Sequence, residues 1–330
     1  MNKEFKALRI SEENGQYIRK IETRKIEDLP EGEVLIRVNF SSLNYKDALS
    51  VSGNKGVTRK YPHTPGIDAA GIVEHSSSTK FKVGDEVIVT SYDLGMNTDG
   101  GFSEYIRVPE SWVVSLPKGM NLREAMIFGT AGFTAALSVY RLLAAGQTPE
   151  MGPVVVTGAL GGVGSIAISI LASLGFEVIA ATSSANGGEE ELHDLGAASR
   201  ISSEISDDLS GRPLLKPLWA GAIDVVGGNT LHTLLKACKP MGNVTCCGNI
   251  GSGDLVMTVY PFILNGISLI GIDSQKCPME LRQKVWNKLA SEWNVYKNKE
   301  QIIESSLENL DTYIDLMLEK KSRGRVIVKL

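Results

Sequence analysis

At 330 residues, with 43% hydrophobic and 22% charged side chains, the chain has the make-up of an ordinary globular protein, which excludes disorder. Its length corresponds to roughly two domains of about 150 residues each. A net charge of −4, with Lys and Arg spread along the chain, excludes wholesale attraction to nucleic acid or an anionic membrane, so any anion site must be local.

Residues 1–120 read as β-rich. The opening MNKEFKALRI has no apolar stretch of the secretory kind, and the expectation is a cytoplasmic protein. Val34–Val38 is a β-branched strand and Gly66–Val73 a strand with glycines where backbone must bend or come close. Glu86–Thr90 is a third, after the turn Val83-Gly84-Asp85. Short strands separated by Gly, Pro and Asn turns suggest a compact, barrel-like all-β unit.

The character changes near residue 121. Asn121-Leu122-Arg123-Glu124 is a capping box, and the apolar run Ala125–Tyr140 reads as a helix broken near Gly129–Gly132. Strands and helices then alternate: Val154–Thr157 strand, Ser165–Leu174 helix, Glu177–Ala181 strand, Glu189–Leu195 helix and Ala222–Val226 strand. Thr230–Cys238 helix, Asn243–Cys247 strand, Leu269–Ile272 strand and a helix over Met279–Trp293 follow. Such alternation is the pattern of a parallel doubly wound sheet. A last helix, Ile314–Lys320, and strand, Arg325–Lys329, close the chain, and this isolated terminal strand is expected to return to the first domain. From Met151 to Phe176 there is no charge, yet Pro153 and six glycines cut the stretch into strand, turn and buried helix, so it is no membrane span.

The most informative segment is Val154-Val155-Val156-Thr157-Gly158-Ala159-Leu160-Gly161-Gly162-Val163-Gly164. A glycine-rich turn between a strand and a helix lets a pyrophosphate approach backbone, and the helix start offers free N–H groups and partial positive charge. Cofactor choice is expected at the tip of the next strand, where a carboxylate would select NAD. Here the sequence is Thr182-Ser183-Ser184, and Glu177 lies at the wrong end, so NADP(H) is expected. Zinc requires converging Cys, His or carboxylate ligands. The β-rich region holds only His63 and His75 and no cysteine. All four cysteines, Cys238, Cys246, Cys247 and Cys277, fall in the last third, where Cys246-Cys247 reads as small core.

Several motifs then occur in one order along nearly the whole chain: Ser41–Leu49 (SSLNYKDAL), Pro65–Asp68 (PGID), Gly129–Ala135 (GTAGFTA), Thr157–Gly164, Trp219–Asp224 (WAGAID) and Pro261–Leu264 (PFIL). With them the chain resembles the zinc-free quinone oxidoreductase branch of the medium-chain dehydrogenase/reductase superfamily, in particular its acrylyl-CoA reductase and YhdH/YhfP-type members. In zinc relatives the Asn44-Tyr45 site would carry a cysteine ligand and the Gly66-Ile67-Asp68 site a His-Glu pair.

The resemblance implies an α/β chain with a GroES-like β-rich substrate domain over 1–122. A Rossmann NADP(H)-binding domain over 123–298 and a tail over 299–330 returning to the substrate domain complete it. It implies NADPH-dependent reduction of a C=C bond conjugated to a carbonyl, acrylyl-CoA to propionyl-CoA first, with a quinone or alkenal as the alternative acceptor. A non-catalytic NADPH-binding protein is the rival from another class. By the same resemblance Tyr45 and Thr134 line the cofactor, Gly158, Leu160, Gly161, Gly162, Val163 and Gly164 surround the pyrophosphate, and Thr182, Ser183 and Ser184 meet the adenosine phosphate. Asn249, Ile263 and Ser274 face the nicotinamide half.

For the chemistry, Tyr45 is a candidate proton donor or oxyanion partner, or else an aromatic wall with water supplying the proton. Asn44 and Asp47 are candidates beside it, with loop capping as their structural alternative. Lys55, Arg59 and Lys60, with Arg323 and Arg325, are candidates for the phosphates of a CoA ester, or plain surface charge. The run Gly266–Ile272, apolar and without a charged gatekeeper, reads as a sheet edge that would pair two copies into a homodimer.

Overall fold

Two ten-residue strands, β1 (Glu4–Glu13) and β2 (Gln16–Lys25), pair antiparallel without a break from Glu4↔Lys25 to Glu13↔Gln16. Asn14 and Gly15 join them, both with positive φ (52° and 80°), the backbone that a two-residue hairpin requires. The computed structural model describes residues 3–182, 188–295 and 301–330. After the hairpin come β3 (Val34–Ser42), α1 (Tyr45–Val51), β4 (Asp68–Ser76), β5 (Glu86–Thr90), β6 (Tyr105–Val108) and β7 (Val113–Ser115). The middle of the chain forms α2 (Leu122–Ala144), β8 (Val154–Thr157), α3 (Gly162–Ser173), β9 (Val178–Thr182), α4 (Glu189–Leu195), β10 (Ser199–Ser202), β11 (Trp219–Asp224) and α5 (Gly228–Lys236). Then follow β12 (Cys238–Cys246), α6 (Tyr260–Asn265), β13 (Ser268–Gly271), α7 (Met279–Leu289), β14 (Ile302–Ser306), α8 (Leu310–Leu318) and β15 (Arg325–Lys329).

Among the described residues, one compact unit comprises 3–131, 275–291 and 301–330, and the other 132–182, 188–274 and 292–295. In the first unit a sheet runs β14-β15-β3-β4-β5-β7. One edge of β3 is shared: its first half pairs with β6 and its second half, Phe40 to Ser42, with β15. Inward side chains of β3, β4, β5, β6 and β7, among them Val34, Ile36, Val73, Val87 and Ile106, form its core. A second cluster, Leu8, Leu43, Val51, Leu310, Ile314 and Val328, seats α1 and α8 against the sheet.

The second unit is a six-stranded parallel sheet in the order β10-β9-β8-β11-β12-β13. Taken from its first strand, that order is 3-2-1-4-5-6, the doubly wound arrangement, with the chain reversing direction across the sheet between β8 and β11. The charge-free stretch over 151–176 is here β8, a turn and α3, with Ile166, Ile168, Ile170 and Leu171 buried on the sheet.

Several expectations change. Gly66 and Ile67 lie outside β4, which starts at Asp68. The helix expected over Thr230–Cys238 is shifted to Gly228–Lys236, because Cys238 already opens β12 opposite Trp219. The last long helix stops at Leu289 and clusters with the first unit, although the nucleotide domain was expected to run to 298. The physical reason is Arg282 on α7. Fully buried, it donates to the Thr90 carbonyl at 3.1 Å and to the Gln275 carbonyl at 3.1 Å, with its guanidinium 4.4 Å from the Tyr92 ring centre.

The helix break is real. Inside α2, Gly129 adopts φ 50° and ψ −152°, while Asn121 and Glu124 close both halves of the box at the helix start.

Candidate active site

In the second unit the turn after β8 is built on glycine by necessity. A Cβ on Gly164 would stand 2.3 Å from the Gly158 carbonyl oxygen, and one on Gly158, where φ is +58°, would stand 2.4 Å from Val225 Cγ2. At Gly164 the obstacle is backbone and at Gly158 it is a buried side chain beside a positive φ, so neither position has room for a Cβ. Gly161 is the N-cap of α3, its N–H given to Gly158 O at 2.9 Å and its carbonyl taking the Ser165 N–H at 2.9 Å. With glycine at the cap, no side chain caps the first N–H groups of α3, and the start of the helix carries partial positive charge.

The turn is held from behind by Asp224, the buried last residue of β11. Its carboxylate accepts Thr157 Oγ1–H at 2.9 Å and the N–H groups of Val226 and Gly227 at 3.2 and 2.8 Å. Burial raises the Asp224 pKa, partly offset by those hydrogen bonds.

Most of the residues expected at the cofactor gather at the C-terminal ends of these strands. Leu160 packs on Gly188, Thr182 ends β9 buried, and Asn249 and Ser274 follow the ends of β12 and β13. Thr134 is buried on α2, one turn before Ser138, whose hydroxyl touches Cys247 just past β12. Ser183 and Ser184 lie outside the described residues. Ile263 stands apart: it is 67% exposed on α6, in the connection entering the start of β13. Burial pushes the Cys247 thiol up to about 12, so it is neutral near pH 7.

In the first unit the structure brings Asn44, Asp47 and Asp68 together around the start of α1. Asn44 is its N-cap and donates its N–H to Asp47 Oδ2 at 2.8 Å, while Asp47 Oδ1 takes the N–H groups of Gly66 and Ile67 at 3.1 and 2.8 Å. Asp47 is therefore a buried capping residue, the structural alternative of the two. Burial first, and then the Asp68 charge, push its pKa up to about 7.

Asp68 is the hub that reading the sequence passed over. Its Oδ2 accepts Ser42 Oγ–H at 2.6 Å, Asn44 Nδ2–H at 2.7 Å and the Thr130 N–H at 2.8 Å, and its Oδ1 accepts Thr130 Oγ1–H at 2.6 Å. A Cβ on Gly129 would lie 2.4 Å from both Asp68 Oδ2 and Ser42 Oγ, so the break in α2 accepts only glycine. The available signal was an acidic residue directly ahead of the apolar run Ala69–Val73, since a buried carboxylate must have partners.

Tyr45, half-buried, is the first residue of α1, and Lys46 beside it donates to Gln275 Oε1 at 3.0 Å. The basic residues fare differently. Lys55 pairs with Glu12 at 2.8 Å and lies over the Tyr61 ring at 4.8 Å, so its charge is already engaged. Arg59, Lys60 and Arg323 are exposed. Arg325 is not a surface phosphate ligand: it is buried, donating to Ile127 O at 2.8 Å, Leu43 O at 3.2 Å and Asn44 Oδ1 at 3.3 Å.

Comparison with known proteins gives the frame for these sites. Residues 30–118 match the alcohol dehydrogenase GroES-like domain, and residues 162–291 match the family described as zinc-binding dehydrogenase. The chain is 45% identical to the putative quinone oxidoreductase YhfP of Bacillus subtilis, over 99% of both chains. A crystal structure of that organism's yhfP with NAD bound matches with a TM-score of 0.96 over 100% of both chains. To the acrylyl-CoA reductase AcuI of Ruegeria pomeroyi it is 41% identical over 98% of both. The yhdH oxidoreductase of Salmonella enterica, crystallised with NADP, matches at 39% identity with a TM-score of 0.95, over 98% of this chain and 99% of that one.

The donors in this chain do not fit the zinc of that family description. Among the described residues no three His, Cys, Asp or Glu converge as metal ligands. Asp47 and Asp68 accept hydrogen bonds from protein groups at both oxygens, and His63 is buried with Nε2 at 2.9 Å from the Gly95 carbonyl, its pKa lowered by burial.

Proposed function

Because the chain belongs to the medium-chain dehydrogenase/reductase superfamily, in the branch of YhfP and AcuI, we propose that it reduces the C=C bond of a small 2-enoyl thioester of the acrylyl-CoA class, using NADPH and no metal. The observation that carries this reading is the glycine turn at the switch point of a 3-2-1-4-5-6 sheet, where close-packed backbone and an uncapped helix start suit a pyrophosphate. The sequence after β9, Thr182-Ser183-Ser184-Ala185-Asn186, has hydroxyls and no carboxylate, which favours the phosphorylated nucleotide. The bound nicotinamide supplies the hydride.

The protein's own part is to bind, orient and exclude water. Asp224 holds the turn that faces the nucleotide, and Tyr45 offers a phenol from the first turn of α1 as proton donor or oxyanion partner. Asn44 and Asp47 set that turn. Arg59 and Lys60, exposed in one loop, and Arg323, exposed in the tail, remain candidates for the phosphates of a CoA ester.

A second reading, reduction of a quinone by the same cofactor, is favoured by the name of the 45% identical relative. One experiment separates the two: NADPH oxidation followed with acrylyl-CoA and with one- and two-ring quinones side by side. A kcat/KM at least about a hundredfold higher for the thioester supports the first reading, the reverse order supports the second, and no oxidation with either sinks both.

We also infer a homodimer. β13 is the sheet's last strand, paired on one side with β12, and nearby Val256, Val259 and Leu264 are exposed apolar residues, which suits pairing with a second copy.

A further inference from the structure

Asn44 is held from both sides by opposite charges. Its amide nitrogen donates to Asp68 Oδ2 at 2.7 Å and to the Ser42 carbonyl at 3.2 Å, while its amide oxygen accepts Arg325 Nη1–H at 3.3 Å. The flipped amide would turn its oxygen to the carboxylate and its N–H groups to the guanidinium, so the two charges select one orientation. Each charge is fixed by its own partners. Asp68 opens β4 and is locked by Ser42 and by Thr130 through two hydrogen bonds, and Arg325 opens β15 and is locked on the carbonyls of Ile127 and Leu43.

What they orient is the start of a seven-residue helix. A helix that short does not hold itself together in water, so its first turn takes its position from its contacts. Asn44 caps that turn, and the next residue is Tyr45. We propose that Asp68 and Arg325 form a two-sided clamp on Asn44 that aims the first turn of α1, and that both are positioning residues for Tyr45. The consequence for Tyr45 in turnover rests on the reductase reading above, whereas the clamp itself does not. In zinc relatives the Asn44-Tyr45 site was expected to carry a cysteine ligand and the Gly66-Ile67-Asp68 site a His-Glu pair, and here two opposite charges bridged by an amide do the orienting.

The test places 3-fluorotyrosine at position 45 of the full-length protein and records its fluorine NMR line without cofactor. Asp68→Asn removes the acceptor charge and Arg325→Met the donor charge, and each should move or split the line. Arg325→Lys, which keeps the charge, should restore a single line in part. In turnover, Asp68→Asn should lower kcat by about tenfold or more, with the Kd for NADPH changed by less than about twofold, because an aim is lost while the nucleotide turn is untouched. A line unmoved in both charge-removing variants overturns the clamp, and so does an unmoved line accompanied by a fall in kcat. If Asp68→Asn does not fold, Thr130→Val removes one of its donors and Thr130→Ser restores it, and the same line is read. If the native protein oxidises NADPH with neither acrylyl-CoA nor a quinone, the reductase reading falls, and the fluorine line alone still decides the clamp.

Discussion

A carboxyl group cut off from water keeps its proton longer, and the sign of the effect at Asp47 can be tested. Its pKa is pushed from 3.8 to about 7, first by burial and then by the nearby Asp68 charge. A raised acid in the folded state favours folding while protonated, so the contribution is complete below about pH 4 and lost as the pH rises towards 7. The native protein should therefore lose stability between about pH 4 and pH 7 in excess of Asp47→Asn, and urea melts at several pH values will read the difference. Asp47→Asn itself should be less stable at low pH by about 1–3 kcal/mol, since an amide cannot accept all the N–H groups that the carboxyl does. At the nucleotide turn, Gly164→Ala forces a Cβ to 2.3 Å from a backbone oxygen, where nothing flexible can yield. We expect a cost of about 1–3 kcal/mol and NADPH binding weaker by about tenfold or more, read by fluorescence titration.

Among the elements, α2 and β15 carry the clearest consequences. Gly129→Ala would demand a left-handed residue whose Cβ meets Asp68 and Ser42 at 2.4 Å. The expected loss is about 3 kcal/mol or more, visible as a lower Tm in a thermal melt. That the helix breaks near Gly129 was legible from its glycines. That it breaks over a carboxylate was not, because Asp68 lies 62 positions away from Thr130 in the sequence. The hairpin β1–β2 was equally local, announced by Asn14-Gly15 between alternating residues, and was passed over. Deleting residues 325–330 should remove β15 from between β14 and β3 and take Arg325 with it, so the truncated chain should be unfolded or aggregated by circular dichroism and light scattering.

At the level of the whole molecule, binding of the dinucleotide must add to stability by mass action. NADPH at a hundred times its Kd should stabilise the native chain by about 2.7 kcal/mol, and calorimetry showing no upward shift would count against the nucleotide site. If the β13 edge joins two copies, light scattering at micromolar concentration should give twice the 35.6 kDa chain mass, and Leu264→Glu should halve it.

The sequence alone determined what depends on neighbours in the chain. The strand–turn–helix at 154–173, the alternation behind the doubly wound sheet, the capping box at Asn121 and the helix break at Gly129 all follow from short-range pattern. Family resemblance carried Tyr45 and the cofactor set. Only the tertiary structure decided that α7 clusters with the β-rich unit, that Arg325 is a buried clamp rather than a phosphate ligand, and that Asp68 gathers Ser42, Asn44 and Thr130. The reason is physical: a charged residue looks the same in sequence whether it ends in water or in a core, and what settles it is which distant groups arrive to satisfy it.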